Sequence, residues 1–167
     1  PGAVERADSL RARGNAEFVR GAYAAAEQLY TDALAALHPE SLRRVPLLNN
    51  RASTRLKNGD SSGAAADASA ALALISPGAR PPLMYSADRD ALAPPLAAAL
   101  NLREAWAKAL MHRASAYEAA ERWRAAADDW DALGAFERTH GSSVRTGERH
   151  RRAAAEGTAR CKNMLAP

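Results

Sequence analysis

Residues 14–39 read GNAEFVRGAYAAAEQLYTDALAALHP, and this stretch decides the fold. Gly14 is followed twelve residues later by Ala26, and Gly21 and Tyr23 lie between them. Glycine adopts the left-handed conformation without steric cost, so Gly21 predicts the end of one helix and a tight turn. Small residues on both sides of that turn let two helices pack closely. The stretch therefore predicts an antiparallel helical hairpin.

The same spacing recurs in two further copies, Ala52 with Ala64 and Ala114 with Ala126. The second copy keeps a glycine at the turn, Gly59, but lacks the aromatic ring that follows it. The third copy has Glu121 in place of the glycine and keeps the ring as Trp123. Three copies in phase indicate an internal repeat of helical hairpins.

This pattern resembles the tetratricopeptide repeat (TPR), with its G-x2-Y, A-x3-F and trailing proline. The resemblance implies an all-α fold of three antiparallel hairpins plus a C-terminal capping helix. We expect one domain over residues 3–167, with repeats at about 7–39, 45–77 and 103–136 and a cap at about 143–164. The helices are predicted over 4–20, 23–37, 46–58, 62–75, 101–119, 122–136 and 143–164, with Pro46 as a first helical residue and Ala26 and Ala126 at helix crossings.

A proline-rich insertion separates the second and third copies, at about residues 77–101. Its prolines preclude a regular helix: Pro77, Pro81, Pro82, Pro94 and Pro95. The insertion either folds over the groove of the stack or is a tolerated surface loop. The sequence favours the surface loop.

Composition narrows the class of function. The chain has 167 residues, 47% of them hydrophobic, and a formal charge of +4, which is too weak an excess to indicate nucleic-acid binding but suits an acidic peptide. Its one cysteine, Cys161, excludes a disulfide within the chain and favours a reducing, cytoplasmic location. No apolar run approaches 18 residues, so we expect no membrane insertion, and no signal peptide is visible. We expect the chain to be one domain of a longer protein.

The sequence carries no recognisable catalytic motif. There is no nucleophile elbow, no phosphate-binding glycine loop and no Cys/His cluster with metal spacing, so we expect no enzyme activity, no cofactor and no metal site. Asp128 and Asp129 are adjacent on a predicted helix and point in different directions, which makes a poor acid–base pair. The tryptophans Trp106, Trp123 and Trp130 are interpreted as packing residues, and Cys161 as an inert buried thiol.

The first helix of each predicted hairpin carries the candidate binding residues: Arg11 and Asn15, then Asn50, then Lys108 and His112. The carboxylate-clamp subfamily of tetratricopeptide proteins, which this set resembles, has Lys, Asn, Asn, Lys and Arg there. The resemblance implies a co-chaperone adaptor that binds the acidic, EEVD-like C-terminal tail of a heat-shock-70 or heat-shock-90 class chaperone. Arg11 keeps the charge of the family lysine, whereas His112 departs from the family arginine.

Cations and amide groups suit this ligand because a chain-end carboxylate offers two acceptor oxygens and a full charge. Other interpretations stay open. Asn15 and Asn50 can serve the hairpins themselves, the groove can bind an internal segment of a trafficking or assembly partner, or the chain can be an enzyme accessory domain without a peptide ligand. If His112 is in the clamp, we expect binding to strengthen as pH falls from about 8 to about 6, since an unperturbed histidine titrates near ~6.5. If His112 packs in the groove wall, affinity stays flat.

Two further features of the C-terminal half are noted. Arg145, Arg149, Arg151 and Arg152 on the predicted capping helix are either a phosphate-binding patch or, as favoured, a solvated outer face. The combination of ALISP at 73–77, the proline-rich insertion and NLREAWAKALMHRASAYEAAERW at 101–123 also resembles the repeat region of fungal auxilin-like, clathrin-uncoating proteins. No His-Pro-Asp tripeptide occurs in the chain, so the resemblance implies an adaptor segment without a J domain.

Overall fold

The computed structural model describes residues 2–76, 101–140 and 144–166, and these ranges contain helices and turns but no strand. The helices are α1 (Ala3–Val19), α2 (Tyr23–Ala35), α3 (Arg44–Asn58), α4 (Ser61–Ile75), α5 (Leu102–Ala119), α6 (Trp123–His140) and α7 (Val144–Leu165). The sequence-based bounds agree to within a few residues. Pro46 is the third residue of α3 rather than its first. The first turn of a helix tolerates proline, because a backbone N–H at that place would have no partner within the helix. The predicted insertion lies outside the described residues except for Asn101.

Helices that are neighbours in the chain pack against each other, and α3 also packs against α5. The small residues of the repeat pattern are buried at these contacts: Gly14, Ala26, Ala52, Ala64, Ala114 and Ala126. At Gly14 the approach is so close that an added Cβ would lie 2.6 Å from Cε1 of Tyr30. Ala26 and Ala126 are both fully buried, as expected for residues at helix crossings.

The three tight turns share one backbone geometry. Gly21 and Gly59 adopt the left-handed conformation with φ of 79° and 82°. Glu121 adopts it too, with φ of 56°, although a side chain makes this conformation costly. Its amide donates to the Glu118 carbonyl, and the next amide, from Arg122, donates to the Tyr117 carbonyl. The third copy of the pattern therefore keeps the turn after losing the glycine.

Buried ion pairs join the helices of the second and third copies of the pattern. Arg51 of α3 donates two hydrogen bonds to Asp67 of α4, at 2.8 and 2.7 Å. Arg113 of α5 makes the same two-bond contact with Asp129 of α6, at 2.8 and 2.6 Å. Each pairing links the two helices of its copy.

The C-terminal helix α7 packs against α6 through a narrow seam of small residues and one histidine. The buried residues of the seam are Gly147, His150, Ala154, Gly157 and Cys161. An added Cβ at Gly157 would lie 2.4 Å from the Trp130 ring, so the ring and the helix backbone are in direct contact. His150 pairs with buried Glu137 at 2.7 Å. Leu165 lies beyond the end of the seam and is 43% exposed.

Within the described residues, no helix has both the length and the apolar character needed to cross a membrane.

Candidate functional site

The first part of the site is a hydrogen-bonded cluster between α1, α2 and α3. The Asn15 Oδ1 atom accepts from the Tyr30 hydroxyl at 2.8 Å and from Asn50 Nδ2 at 2.9 Å. Burial raises the pKa of Tyr30, so its hydroxyl keeps the proton that it donates. The amide orientation of Asn15 is therefore fixed. Its Nδ2 group has no hydrogen-bond partner in the described part of the chain and remains available as a donor.

Asn15 and Asn50 can hold the hairpins together, bind a ligand, or do both. Asn15 and Asn50 do link the hairpins, through one oxygen and one amino group. The remaining polar atoms of the exposed Asn15 side chain are not used in that link. A structural role and a ligand-binding role are thus compatible in the same pair of residues.

Arg11 lies one helical turn before Asn15 on α1. Its Nη2 atom is 3.4 Å from Oδ1 of Asp8, and both side chains are well exposed, so the contact is a weak surface pair. The charge of Arg11 also helps to lower the pKa of Tyr30, against the larger effect of burial. Arg11 is therefore on the same side as the Asn15 cluster, with a guanidinium that is free to reorient.

The second part of the site is an open pocket of about 640 Å³ between α3, α5 and α7. It brings together three of the residues expected from the sequence, Asn50, Lys108 and His112. The pocket is also lined by Asn49, Ser53, Glu104, Met111, Thr146, Arg149 and His150. Asn50 thus belongs to both parts of the site, since it contacts Asn15 on one side and faces this pocket on the other.

Lys108 and His112, four residues apart on α5, differ in charge. The Lys108 ammonium is 2.7 Å from Oε1 of Glu104 and is about half exposed. Burial, and then the nearby Lys108 charge, lower the pKa of His112 to about 4. The His112 Nδ1 atom is buried without a hydrogen-bond partner in the described residues. At neutral pH this position therefore supplies a neutral imidazole, and not the unperturbed histidine assumed from the sequence.

The C-terminal helix α7 contributes one of the four arginines noted in the sequence. Arg149 is exposed and lines the open pocket together with Lys108. Arg152 is also exposed, and it pairs with Glu156 at 2.8 Å. Arg151 lines a separate groove beside Trp130 and Lys162. The Arg145 side chain lies outside the described residues.

The tryptophans and the cysteine occupy structural positions. Trp106 packs against Phe136 with ring centroids 4.7 Å apart, and the Trp130 indole N–H donates to Glu118. Trp123 is half-buried at the start of α6. Burial raises the pKa of the Cys161 thiol, which makes it a poor nucleophile. In the described part of the chain, no group of three or more His, Cys, Asp or Glu side chains could hold a metal ion.

The chain was compared with known proteins. No protein-family model and no curated protein matches it. Solved structures do. The second TPR domain of human RPAP3, in complex with the HSP70 peptide SGPTIEEVD, matches with a TM-score of 0.63 at 20% identity, over 96% of this chain and 98% of that one. The first TPR domain of Spaghetti (RPAP3), bound to the HSP90 peptide SRMEEVD, matches with a TM-score of 0.59 at 20% identity, over 93% and 95%.

A third match is the Sgt2 TPR domain from Aspergillus fumigatus, with a TM-score of 0.59 at 21% identity, over 96% of this chain and 84% of that one. The chain has the tetratricopeptide-repeat fold. In this TPR fold the pocket lies where the first helices of the second and third copies of the pattern, α3 and α5, meet the C-terminal helix. None of these matches supports the auxilin-like resemblance, and with it clathrin uncoating and vesicle trafficking have no support beyond the sequence.

Proposed function

We propose that this chain is a co-chaperone adaptor domain, not an enzyme, that binds the acidic C-terminal tail of a cytosolic heat-shock-70 or heat-shock-90 class chaperone. The proposed architecture is three TPR hairpins, α1–α2, α3–α4 and α5–α6, capped by α7, with the proline-rich insertion between the second and third. The proposal includes a cytoplasmic location and no nucleic-acid partner.

One observation carries the proposal: a fixed amide donor lies beside a cationic pocket. Asn50 holds the Asn15 oxygen, which leaves the Asn15 amino group to donate, and Asn50 also lines the pocket that contains Lys108. A terminal carboxylate accepts from such amide and ammonium donors, and hydrogen bonds to a charged partner contribute about 1.5–3 kcal/mol each. The structural neighbours that hold HSP70 and HSP90 tail peptides support the same ligand class.

Calorimetry with the peptide SGPTIEEVD, as a free acid and as a C-terminal amide, tests the proposal. We expect the free acid to bind in the micromolar range, about −8 kcal/mol, and the amide to bind at least about tenfold more weakly. Lys108→Ala should weaken binding of the free acid without lowering the melting temperature. Asn15→Ala should also weaken it, but it should lower the melting temperature too, because Tyr30 and Asn50 lose their acceptor. Arg152→Ala is the control, since Arg152 is exposed and pairs only with Glu156 among the described residues. Equal affinity for acid and amide would sink the proposal.

A second candidate is a TPR scaffold that binds an internal peptide segment and has no working carboxylate clamp. The neutral His112 favours it, because a clamp with one cation fewer holds a carboxylate less strongly. The two candidates give opposite results in the same titration. An internal segment binds whether or not its chain end is amidated.

A further inference from the structure

The pocket at the C-terminal end of the site contains two cations that differ in how they are already used. Lys108 is bound to Glu104 at 2.7 Å. Arg149 forms no ion pair with any acidic side chain of the described residues, and its side chain is exposed. A ligand carboxylate has to compete with Glu104 for Lys108, whereas Arg149 is available without competition. The net positive charge of the pocket wall therefore comes from α7.

Position 112 lacks a positive charge, and Arg149 lies where it can supply one. Burial and the Lys108 charge hold the pKa of His112 at about 4, so α5 supplies one cation and one neutral ring at this end of the groove. Lys108, His112 and Arg149 line one pocket. A guanidinium at position 149 restores the second positive charge from the opposite wall.

The backbone that carries Arg149 is held firmly. The next residue, His150, is buried and pairs with Glu137 at 2.7 Å. Further along α7, Arg160 donates two hydrogen bonds of 3.0 Å to Glu118 of α5. Thr158 donates to Asp131 of α6 at 2.9 Å. The helix thus presents Arg149 to the pocket from a fixed position, which lowers the entropic cost of using it.

The same pocket contains buried polar atoms without partners. Asn49 is 4% exposed, and its Nδ2 donates to the Ala105 carbonyl at 2.9 Å, so the amide orientation is set. Its Oδ1 atom, like Nδ1 of His112, is buried with no partner among the described residues. An unpaired buried acceptor costs free energy, so these two atoms lie under the pocket wall at a cost to stability. The exposed cation that the pocket offers to an acidic side chain is Arg149.

We propose that Arg149 of the C-terminal helix is a peptide-binding residue that takes an acidic side chain upstream of the ligand's chain end, in place of the cation that position 112 lacks. This inference rests on the proposed function. The ligand class becomes narrower: a chain end preceded by glutamate or aspartate, and not any free carboxylate. Arg149 of α7 then binds an acidic side chain of the ligand, while Asn15, Asn50 and Lys108 bind its terminal carboxylate.

The test is a double-mutant cycle between residue 149 and the peptide, by calorimetry at low ionic strength. The peptides are SGPTIEEVD and SGPTIQQVD, both free acids. We expect Arg149→Gln to weaken binding of SGPTIEEVD about fivefold and of SGPTIQQVD less than about twofold, because a partly exposed charge pair contributes on the order of 1 kcal/mol. The adjacent control, Arg152→Gln, should change neither affinity. Raising the salt concentration should reduce the effect of Arg149→Gln, since exposed charges are screened.

Two outcomes would overturn the inference while leaving the proposed function intact. If the free acid binds more tightly than the amide but Arg149→Gln behaves like Arg152→Gln, Arg149 does not bind the ligand. If Arg149→Gln weakens both peptides equally, it does not read the acidic side chains. If acid and amide bind alike, or neither binds, the proposed function itself fails and the assignment of Arg149 fails with it.

Discussion

The two halves of the molecule hold their buried aspartates differently. In the N-terminal half the Asp67 carboxylate accepts from two arginines, Arg51 and Arg55. In the C-terminal half Asp129 pairs with one arginine, Arg113. A shared acceptor retains a partner when one donor is lost, and a single pair does not. Asp129 should therefore be more sensitive than Asp67 to the loss of one arginine.

Removing one arginine from each half gives the largest difference. Arg113→Ala leaves the Asp129 carboxylate, only 8% exposed, without its cation, and should lower the free energy of unfolding by about 3 kcal/mol or more. Arg51→Ala leaves Asp67 bound to Arg55 and should cost about 1–2 kcal/mol. Urea unfolding of both variants measures the difference. Equal losses would show that sharing an acceptor gives no protection.

The next largest loss of stability is expected at two glycines whose backbones contact aromatic rings. Gly14→Ala forces a methyl group against Tyr30, and Gly157→Ala forces one against Trp130. We expect each to cost about 1–2 kcal/mol, since overpacking outweighs the gain in helix propensity. Gly134→Ala is the control, because its Cβ would meet only ordinary contacts at 3.4 and 3.6 Å.

Ligand binding should separate the same two glycine variants. Gly14→Ala displaces Tyr30, which fixes Asn15, so it should weaken binding of both free-acid peptides alike. Gly157→Ala displaces α7 and should act mainly on the peptide with glutamates, through Arg149. Thermal melts and calorimetry on the two variants measure both effects. Identical binding profiles would contradict the division of the site into two ends.

The two halves also differ in their turns, where substitutions should change the free energy of unfolding less. Glu121 is held at φ 56° where Gly59 has φ 82° in the equivalent turn. We expect Glu121→Gly to stabilise the domain by about 0.5–1 kcal/mol, because relief of the left-handed strain exceeds the extra chain entropy of glycine. Gly59→Ala should destabilise by a similar amount for the opposite reason. A loss of stability in Glu121→Gly would mean that the Glu121 side chain makes a compensating contact.

The sequence predicted the helices well because the pattern of small residues and turns is local. Gly21 and Gly59 each mark a turn, and the small residues on either side of the turn mark where the two helices of the hairpin pack. The turn at Glu121 follows from the packing of α5 on α6, which a single residue does not reveal. In α7 the buried face consists of glycines, alanine, cysteine and a histidine, whereas Leu165 is exposed, so hydrophobicity along the sequence does not indicate which face packs on α6.

The candidate site was predictable only in part, for a related reason. Asn15, Asn50 and Lys108 follow from their places in the repeat. Which pocket Arg149 faces depends on how α7 packs against the other helices. The charge of His112 depends on its burial. The spacing of residues in the sequence gives neither. Both corrections concern the end of the groove that the C-terminal helix closes, where contacts come from outside the repeats.

The pH dependence of binding should be the smallest effect, and its absence is informative. The pKa of His112 is about 4 in the free domain. A bound carboxylate raises that pKa, so affinity rises only as pH falls towards the pKa of the complex. To strengthen binding at pH 6 the ligand would have to raise it by about two units, roughly 2.7 kcal/mol of interaction with one imidazolium.

We therefore expect the affinity for SGPTIEEVD to change less than about twofold between pH 8 and pH 6. His150 also lines the pocket. Calorimetry at the two pH values with wild type, His112→Gln and His150→Gln separates the contributions of the two residues. Tighter binding at pH 6 that disappears in His112→Gln would restore His112 as a charged member of the clamp. Tighter binding that disappears only in His150→Gln would assign the effect to the seam between α6 and α7, and so to the placement of Arg149.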